Sequence, residues 1–460
     1  MVRGSIAAGE TKQTPGVILQ CGANARIMQG SGSCAAPPPF RTMSHSDLAA
    51  GAARTGMGFK EFVAFIAAVM ATNALAIDTM LPALPLIGRA LHIAHENDRQ
   101  WIVTAYLLGF GVAQLVYGTL ADRYGRRPVL FVALALYALF SVFAGMADSL
   151  HTMLIARVLQ GIGAAGTRVL AVSIVRDRYA GRQMARVMSL AFLVFFAVPV
   201  AAPSIGQLVM LVEPWRAVFH LLALFGAAVA VWGAVRLPET LHESDRLRIE
   251  IARIAAAFRE CVADRKAVGY TFAQAILFGG LLGYINAAQQ IFTDVYHVPS
   301  RFPIFFGCTA AFLAAASLLN ARIVGRLGMH RVSHAALFGY VAVAASHVAI
   351  ARLGGDTLWV FAGAQALILF CIGLIGPNFG ALAMESMGHV AGTASSLQGF
   401  VTSVGGALVG FAIGQQFDGT TLPICVGYLV VALSALAIVI ATESGRLFRS
   451  TAPAATVDVP

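Results

Sequence analysis

Charge is scarce in this chain. Asp, Glu, Lys and Arg make up only 12% of its 460 residues, against roughly 25% in a soluble domain. That shortage excludes an ordinary water-facing surface over most of the molecule. Catalytic signatures are missing too. There is no G-x-x-x-x-G-K-[ST] phosphate loop, no H-E-x-x-H pair and no G-x-S-x-G turn, so no enzyme activity is expected. Without a nucleotide site, uphill work has to draw on an ion gradient, and no cofactor beyond a proton gradient is expected. The six cysteines, Cys21, Cys34, Cys261, Cys308, Cys371 and Cys425, show no CxxC or Cys/His spacing. They are expected as small apolar packing residues, with no disulfide and no metal.

What the chain has is apolar length. It is 58% hydrophobic, with a mean hydropathy of +0.76. Crossing a ~30 Å hydrocarbon core at about 1.5 Å per residue takes about twenty apolar residues. About twelve segments qualify: 62–84, 101–120, 128–147, 153–175, 188–211, 217–235, 269–292, 303–323, 333–351, 357–381, 392–414 and 421–442. The expectation is an all-α polytopic membrane protein in two six-helix halves, 59–235 and 269–442. Between them lies a linker, 236–268, in which Ile251, Ile254, Phe258 and Cys261 recur at helical spacing, with Arg253, Arg259 and Arg265 interleaved. This reads either as an amphipathic helix on the membrane surface or as a solvated linker helix. Residues 1–58 are rich in Gly, Ala and Ser, contain Pro37-Pro38-Pro39, and are expected to be a disordered cytoplasmic tail. Met43 and Met57 are expected as alternative starts. Residues 443–460 form a second cytoplasmic tail.

The net charge of +10 does not indicate nucleic acid, because the basic residues sit in short loops between apolar spans. With both termini inside, the cytoplasmic loops hold 19 Lys and Arg and the opposite side holds 5. That bias sets the orientation and implies a multi-pass protein of a cell inner membrane.

The densest charge is the run Gly118-Thr119-Leu120-Ala121-Asp122-Arg123-Tyr124-Gly125-Arg126-Arg127-Pro128. Each charge costs about 2.5–3.5 kcal/mol in hydrocarbon on insertion scales. The run therefore marks a tight turn at the membrane surface. The run Asn320–Arg331 repeats it faintly, with Gly328 at the place of Gly125, Arg326 at that of Arg123 and Gly325 at that of Asp122.

The G-x-L-A-D-R-x-G-R-R pattern resembles the signature loop between the second and third helices of major facilitator superfamily transporters. The resemblance implies a gate in which Gly118, Asp122, Arg123, Gly125, Arg126 and Arg127 form the loop, and Asp122 latches the halves by facing a second-half helix N-terminus. The alternative is a plain positive-inside turn. Arg157-x-x-Gln160-Gly-x-Gly-Ala-Ala resembles the family's fourth-helix motif, in which the arginine faces the cavity and is linked to proton transfer. The alternative is that Arg157 snorkels to the interface. Arg168, deeper in the same span, has no assigned role. Pro199-x-x-Ala-Pro203-x-x-Gly206 resembles the antiporter motif of drug/proton exchangers, although Ala202 and Gln207 stand where that motif has glycine. A bent packing helix without a coupling role is the alternative.

Asp78-Thr-Met-Leu-Pro-Ala-Leu-Pro resembles the first-helix signature of the Bcr/CflA drug-resistance branch. Gly376-Pro377-Asn378 and Gly388–Ser396 resemble the same branch. The resemblance, over roughly residues 60–442, implies proton-coupled export of small, partly apolar compounds by a monomer. Its partners are a small-molecule substrate, protons and lipid. The alternatives are a proton-linked carrier of a narrow metabolite such as a nucleoside, or a non-transporting receptor or scaffold. Asp78 is the expected proton carrier with Arg157 tuning the cavity's charge. The other reading of Asp78 is a residue that caps or packs at the outer interface, near the break at Pro82. Gln114, Gln160, Asn286, Gln289, Asn378 and Gln398 are cavity candidates, since polar groups in spans face the bundle interior. His347 is expected to be a packed or interfacial histidine rather than a proton relay.

Overall fold

A computed structural model describes residues 57–246 and 251–448. In lipid, backbone polar groups find partners only within a helix or a closed barrel. Among the described residues the apolar segments are helical throughout. The first half contains α1 (Phe59–Asp78), a short α2 (Leu84–Ala90), α3 (Trp101–Tyr124), α4 (Arg126–Gly145), α5 (Leu150–Arg178), α6 (Gly181–Val212) and α7 (Arg216–Arg236). The linker holds α8 (Ile251–Ala263). The second half contains α9 (Arg265–Gln290), α10 (Phe302–Leu327), α11 (Met329–Arg352), α12 (Leu358–Met384), α13 (Ala391–Gly414) and α14 (Leu422–Thr442). Eleven described helical stretches are long and apolar enough to cross a membrane. The fifth expected span falls in α6, whose described apolar part is Ala197–Val212.

The first span, Phe59–Ala90, covers the expected 62–84 but is interrupted within its length. Helix α1 stops at Asp78, a 3-10 turn follows at Leu81–Ala83, and α2 restarts at Leu84. Pro82 and Pro85 explain the break, since each lacks the N–H that a continuous helix would need there.

The two halves meet along two seams. The second membrane helix of the first half, α3, packs on the fifth of the second half, α13; α6, the fifth of the first half, packs on α10, the second of its counterpart. This reciprocal arrangement matches the sequence repeat. Gly125 links α3 to α4 with φ 98° and ψ 158°, and Gly328 links α10 to α11 with φ 82° and ψ 152°. Both need the positive-φ conformation that glycine adopts without steric cost. Within the first half, α3 and α5 touch backbone to backbone. A Cβ on Gly109 would lie 2.1 Å from the Val158 carbonyl oxygen, and one on Gly161 would lie 2.1 Å from that of Tyr106. Small residues permit such approach where lipid offers no hydrophobic drive.

Part of the linker helix packs on the second half, while Val262 is exposed. Ala257 and Cys261 are buried, and Cys261 packs with Ala267, Met387 and Ala394 of the second half. Arg265 is not part of α8; it opens α9 and donates to the Ala441 carbonyl. The side chains of Ile251, Arg253 and Ile254 lie outside the described residues, as do the tail segments 1–56 and 449–460.

Candidate functional site

The signature loop sits where α3 hands over to α4. Arg126 is buried there, with Nη1 2.6 Å from Asp122 and Nε 2.9 Å from Asp177 at the end of α5. Glu239 accepts from the backbone N–H groups of Arg126 and Arg127 at 2.9 and 3.1 Å. It thereby satisfies orphan donors at the α4 N-terminus, where negative charge is favoured. Gly125 leaves room for it, because a Cβ there would stand 2.5 Å from Glu239 Oε2. Arg127 reaches the Ala234 carbonyl at 2.9 Å, and Arg123 is exposed. The latch onto a second-half helix is not made in this conformation. Asp122 pairs within its own half, and it lines a cavity whose opposite wall includes Val390 and Ala391 at the start of α13. Asp177 and Glu239 were not singled out in the sequence, since acidic residues just beyond a span end are ordinary there.

Arg157 does not snorkel. It is fully buried, donating to the carbonyls of Ile102 and Ala76 at 3.0 and 3.2 Å and to Gln160 at 2.6 Å. Its guanidinium lies over the Tyr106 ring, 4.4 Å from the centroid. Gln160 passes the chain on to Ser141 at 2.6 Å. Arg157 thus ties α1, α3, α4 and α5 together, and neither it nor Gln160 lines the cavity. Asp78, two residues from the Ala76 carbonyl, is 4% exposed. Among the described residues its carboxylate has no hydrogen bond and no ion pair. The Asp78 side chain neither caps a helix nor reaches the surface.

Pro199 and Pro203 both lie inside α6. One turn further on, a Cβ at Gly206 would fall 1.9 Å from the Thr79 carbonyl oxygen. Gly206 therefore seats α6 against the break that follows Asp78.

Between the halves is a cavity of about 850 Å³. It runs from Gln114 on α3 to the end of the bundle that carries the signature loop, and Asp245 and Glu260 of the linker stand at its mouth. Gln114 donates across the seam to Ser403 at 2.9 Å. On the opposite wall Gln398 donates to Gln274 at 3.0 Å. Arg168 also lines the cavity, exposed to it, with its guanidinium 5.9 Å from the Phe110 centroid.

The far end of the bundle is closed by amides. Asn97 donates to the carbonyls of Gln415 and Phe417 at 3.2 and 2.9 Å. Gln100 donates to Gln290 at 2.9 Å and to the Gly414 carbonyl at 3.0 Å. Gln290 in turn donates to Asn97 at 2.9 Å. Trp101 packs on Phe411, with ring centroids 4.0 Å apart. Two halves that share a central cavity, sealed at one end and open at the other, have the form of an alternating-access carrier.

The Major Facilitator Superfamily profile matches residues 64–410. The chain belongs to the major facilitator superfamily. It is 30% identical over 372 residues to the uncharacterized MFS-type transporter YdgK of Bacillus subtilis, covering 78% of this chain and 90% of that one. It is 28% identical over 351 residues to the bicyclomycin resistance protein homolog of Haemophilus influenzae, covering 75% and 87%. Multidrug resistance protein MdtL of Escherichia coli is 38% identical over 164 residues, covering 36% and 42%. These relatives support the Bcr/CflA-type drug-resistance branch that the motifs resemble. The D-xylose-proton symporter shares the fold at a TM-score of 0.66 and 13% identity, covering 82% of this chain and 97% of that one. The peptide transporter POT does so at 0.67 and 14%, covering 89% and 100%.

Within this superfamily fold, only Gln114 and Gln398 of the six amide candidates line the cavity. Asn378 is buried between helices and donates to Asn320 at 2.7 Å, while Gln289 donates to Thr293 at 2.9 Å. Asn286 is buried near the far-end amides, where a Cβ on Gly414 would meet it. Asn378 thus joins two helices, as amides in spans commonly do, whereas the Gln289 bond stays within one helical stretch and Asn286 Oδ1 has no hydrogen-bond partner among the described residues. His347 is buried, as expected, with Nε2 3.1 Å from Asp356 Oδ1. His347, Asp356 and Cys425 bring their ligand atoms within 4.8 Å of one another, which the cysteine spacing did not foretell.

Proposed function

We propose that this transporter exports small, partly apolar compounds across a bacterial inner membrane in exchange for protons. The observation that carries this reading is the opposition of the two ends: a cavity open beside the signature loop, and an amide clasp at the far end. The basic bias of the loops makes the signature-loop end cytoplasmic, with both termini inside. The cavity then faces the compartment from which an exporter loads. The names of the resistance relatives support that substrate class. In this reading Asp78 carries the proton. A buried carboxylate with no partner is costly as an anion and much less so as a neutral acid, so occupancy by a proton and by substrate can alternate with conformation. Arg157, held by carbonyls close by, supports the charge balance of that step.

The test is uptake of radiolabelled bicyclomycin into inside-out vesicles from a host lacking its main efflux pumps. Accumulation on energisation, abolished by a protonophore, is the expected result. A panel of antibiotics follows by the same assay. Gradient-independent equilibration of every compound would overturn the proton coupling, and the absence of any protein-dependent flux would overturn the reading and favour a receptor or scaffold.

A further inference from the structure

We propose that the cavity recognises a carboxylate, and that Arg168 is the residue that binds it. This deepens the export reading and rests on it: among partly apolar compounds, the transported class would be amphipathic organic acids carrying one negative charge.

The argument starts from depth. Arg168 lies ten residues before the end of α5 at Arg178, so it stands about 15 Å inside that end at 1.5 Å per residue. Asp122, by contrast, is two residues from the end of α3. An arginine so far into a span is costly unless something balances it. Among the described residues nothing does. Arg168 makes no hydrogen bond and no ion pair, and what its guanidinium meets is the apolar ring of Phe110, 5.9 Å from the centroid. The contrast with Arg157 on the same helix is sharp, since that guanidinium has two backbone carbonyls and a glutamine.

The acidic groups on the cavity wall do not supply the missing partner. Asp122 is taken by Arg126. Glu260 is paired with His389, and Asp245, like Glu260, belongs to the linker at the mouth. Deeper in, the wall facing α5 is neutral: Gln274, Gln398 and Gly399. Arg176, two turns along α5 towards the mouth, lines the same cavity and likewise has no ion pair among the described residues. An anion entering there meets one cation at the mouth and a second at depth.

The chemistry of the ligand follows. A planar guanidinium offers two parallel N–H donors, which suit a carboxylate. One unpaired cation at depth balances one negative charge and not two. Val169 and Val172, which line the cavity beside Arg168, provide an apolar surface for the rest of the molecule.

The experiment uses purified full-length protein and two fluorescent probes, dansylglycine and its uncharged methyl ester. Emission titrations give a dissociation constant for each. The wild type is expected to bind the acid at least tenfold more tightly than the ester. Arg168→Gln removes the charge and leaves a shorter, neutral polar side chain, breaks no hydrogen bond and is expected to abolish that preference, with the ester affinity unchanged. Arg168→Lys, which keeps the charge but loses the fork, is expected to retain part of the preference. Equal binding of acid and ester by the wild type, no binding of the acid, or an undiminished preference in Arg168→Gln would each overturn the proposal. The outcome is separable from the export reading, because binding is read without a gradient. An acid preference in a protein that shows no proton-driven flux would overturn the export reading alone. Intact export without the preference would overturn the anion site alone.

Discussion

Gln100 and Gln290, 190 positions apart, share a hydrogen bond of 2.9 Å across the two halves. Gln100 also holds the Gly414 carbonyl. Gln100 Oε1 also accepts from Gln415 at 3.4 Å. Gln100→Ala removes all three bonds and leaves buried acceptors without donors, a loss of about 1–3 kcal/mol. Since every 1.4 kcal/mol is tenfold in an equilibrium constant, the closed far end should lose population by roughly five- to a hundredfold. Spin labels at His95→Cys and Gln416→Cys, both exposed positions, should report longer distances in the variant. An unchanged distance distribution would show that the clasp does not hold this end shut.

Asp78→Asn is expected to keep the fold and the binding of substrate, because the side chain breaks no bond in the described structure. It should lose proton-driven accumulation in inside-out vesicles while still allowing downhill equilibration. A variant that pumps against a gradient and stays protonophore-sensitive would remove Asp78 from the coupling step.

Asp122→Asn should cut transport far more than membrane abundance. Arg126 keeps Asp177 as a partner at 2.9 Å, so the loop should still fold. What is lost is a full negative charge available to the start of a second-half helix when the cavity mouth closes. Flux measured at matched expression checks this, and normal flux would return the loop to a purely topogenic role.

Gly206→Ala should be severe for so small a change. Its methyl would sit 1.9 Å from the Thr79 carbonyl oxygen, which is far inside contact distance. Helix α6 would have to move off the break after Asp78. The expected result is a drop of several degrees in thermal stability together with loss of transport. Ala202→Gly, one turn earlier, serves as a control for substitution in the same helix.

The helices were legible because lipid demands long apolar runs, and the two turns were legible because Gly125 and Gly328 stand between arginines in both halves. The break at Pro82 was within reach of the sequence, as the two prolines were visible, but apolarity alone ran the span through it. The site was less legible. Depth in the membrane can be counted along the chain, whereas the side on which a residue faces depends on neighbouring helices. Gln114 and Gln160 are alike in type and both lie well inside a span, yet one lines the cavity and the other bonds Arg157 and Ser141. The clasp went unseen because Asn97, Gln100, Gln290 and Gln415 lie at or near span ends, where polar residues attract no notice.

The two ends of the linker belong to different owners. Glu239, just past α7, caps the first half through Arg126 and Arg127, whereas α8 packs against α9 and α13 of the second. A gene cut between the codons for Arg246 and Ile251 would hand each half its own fastening. The two polypeptides, produced together, should find one another through the α3–α13 and α6–α10 seams and rebuild a working carrier. A cut before Glu239 would take the cap from the first fragment and should fail.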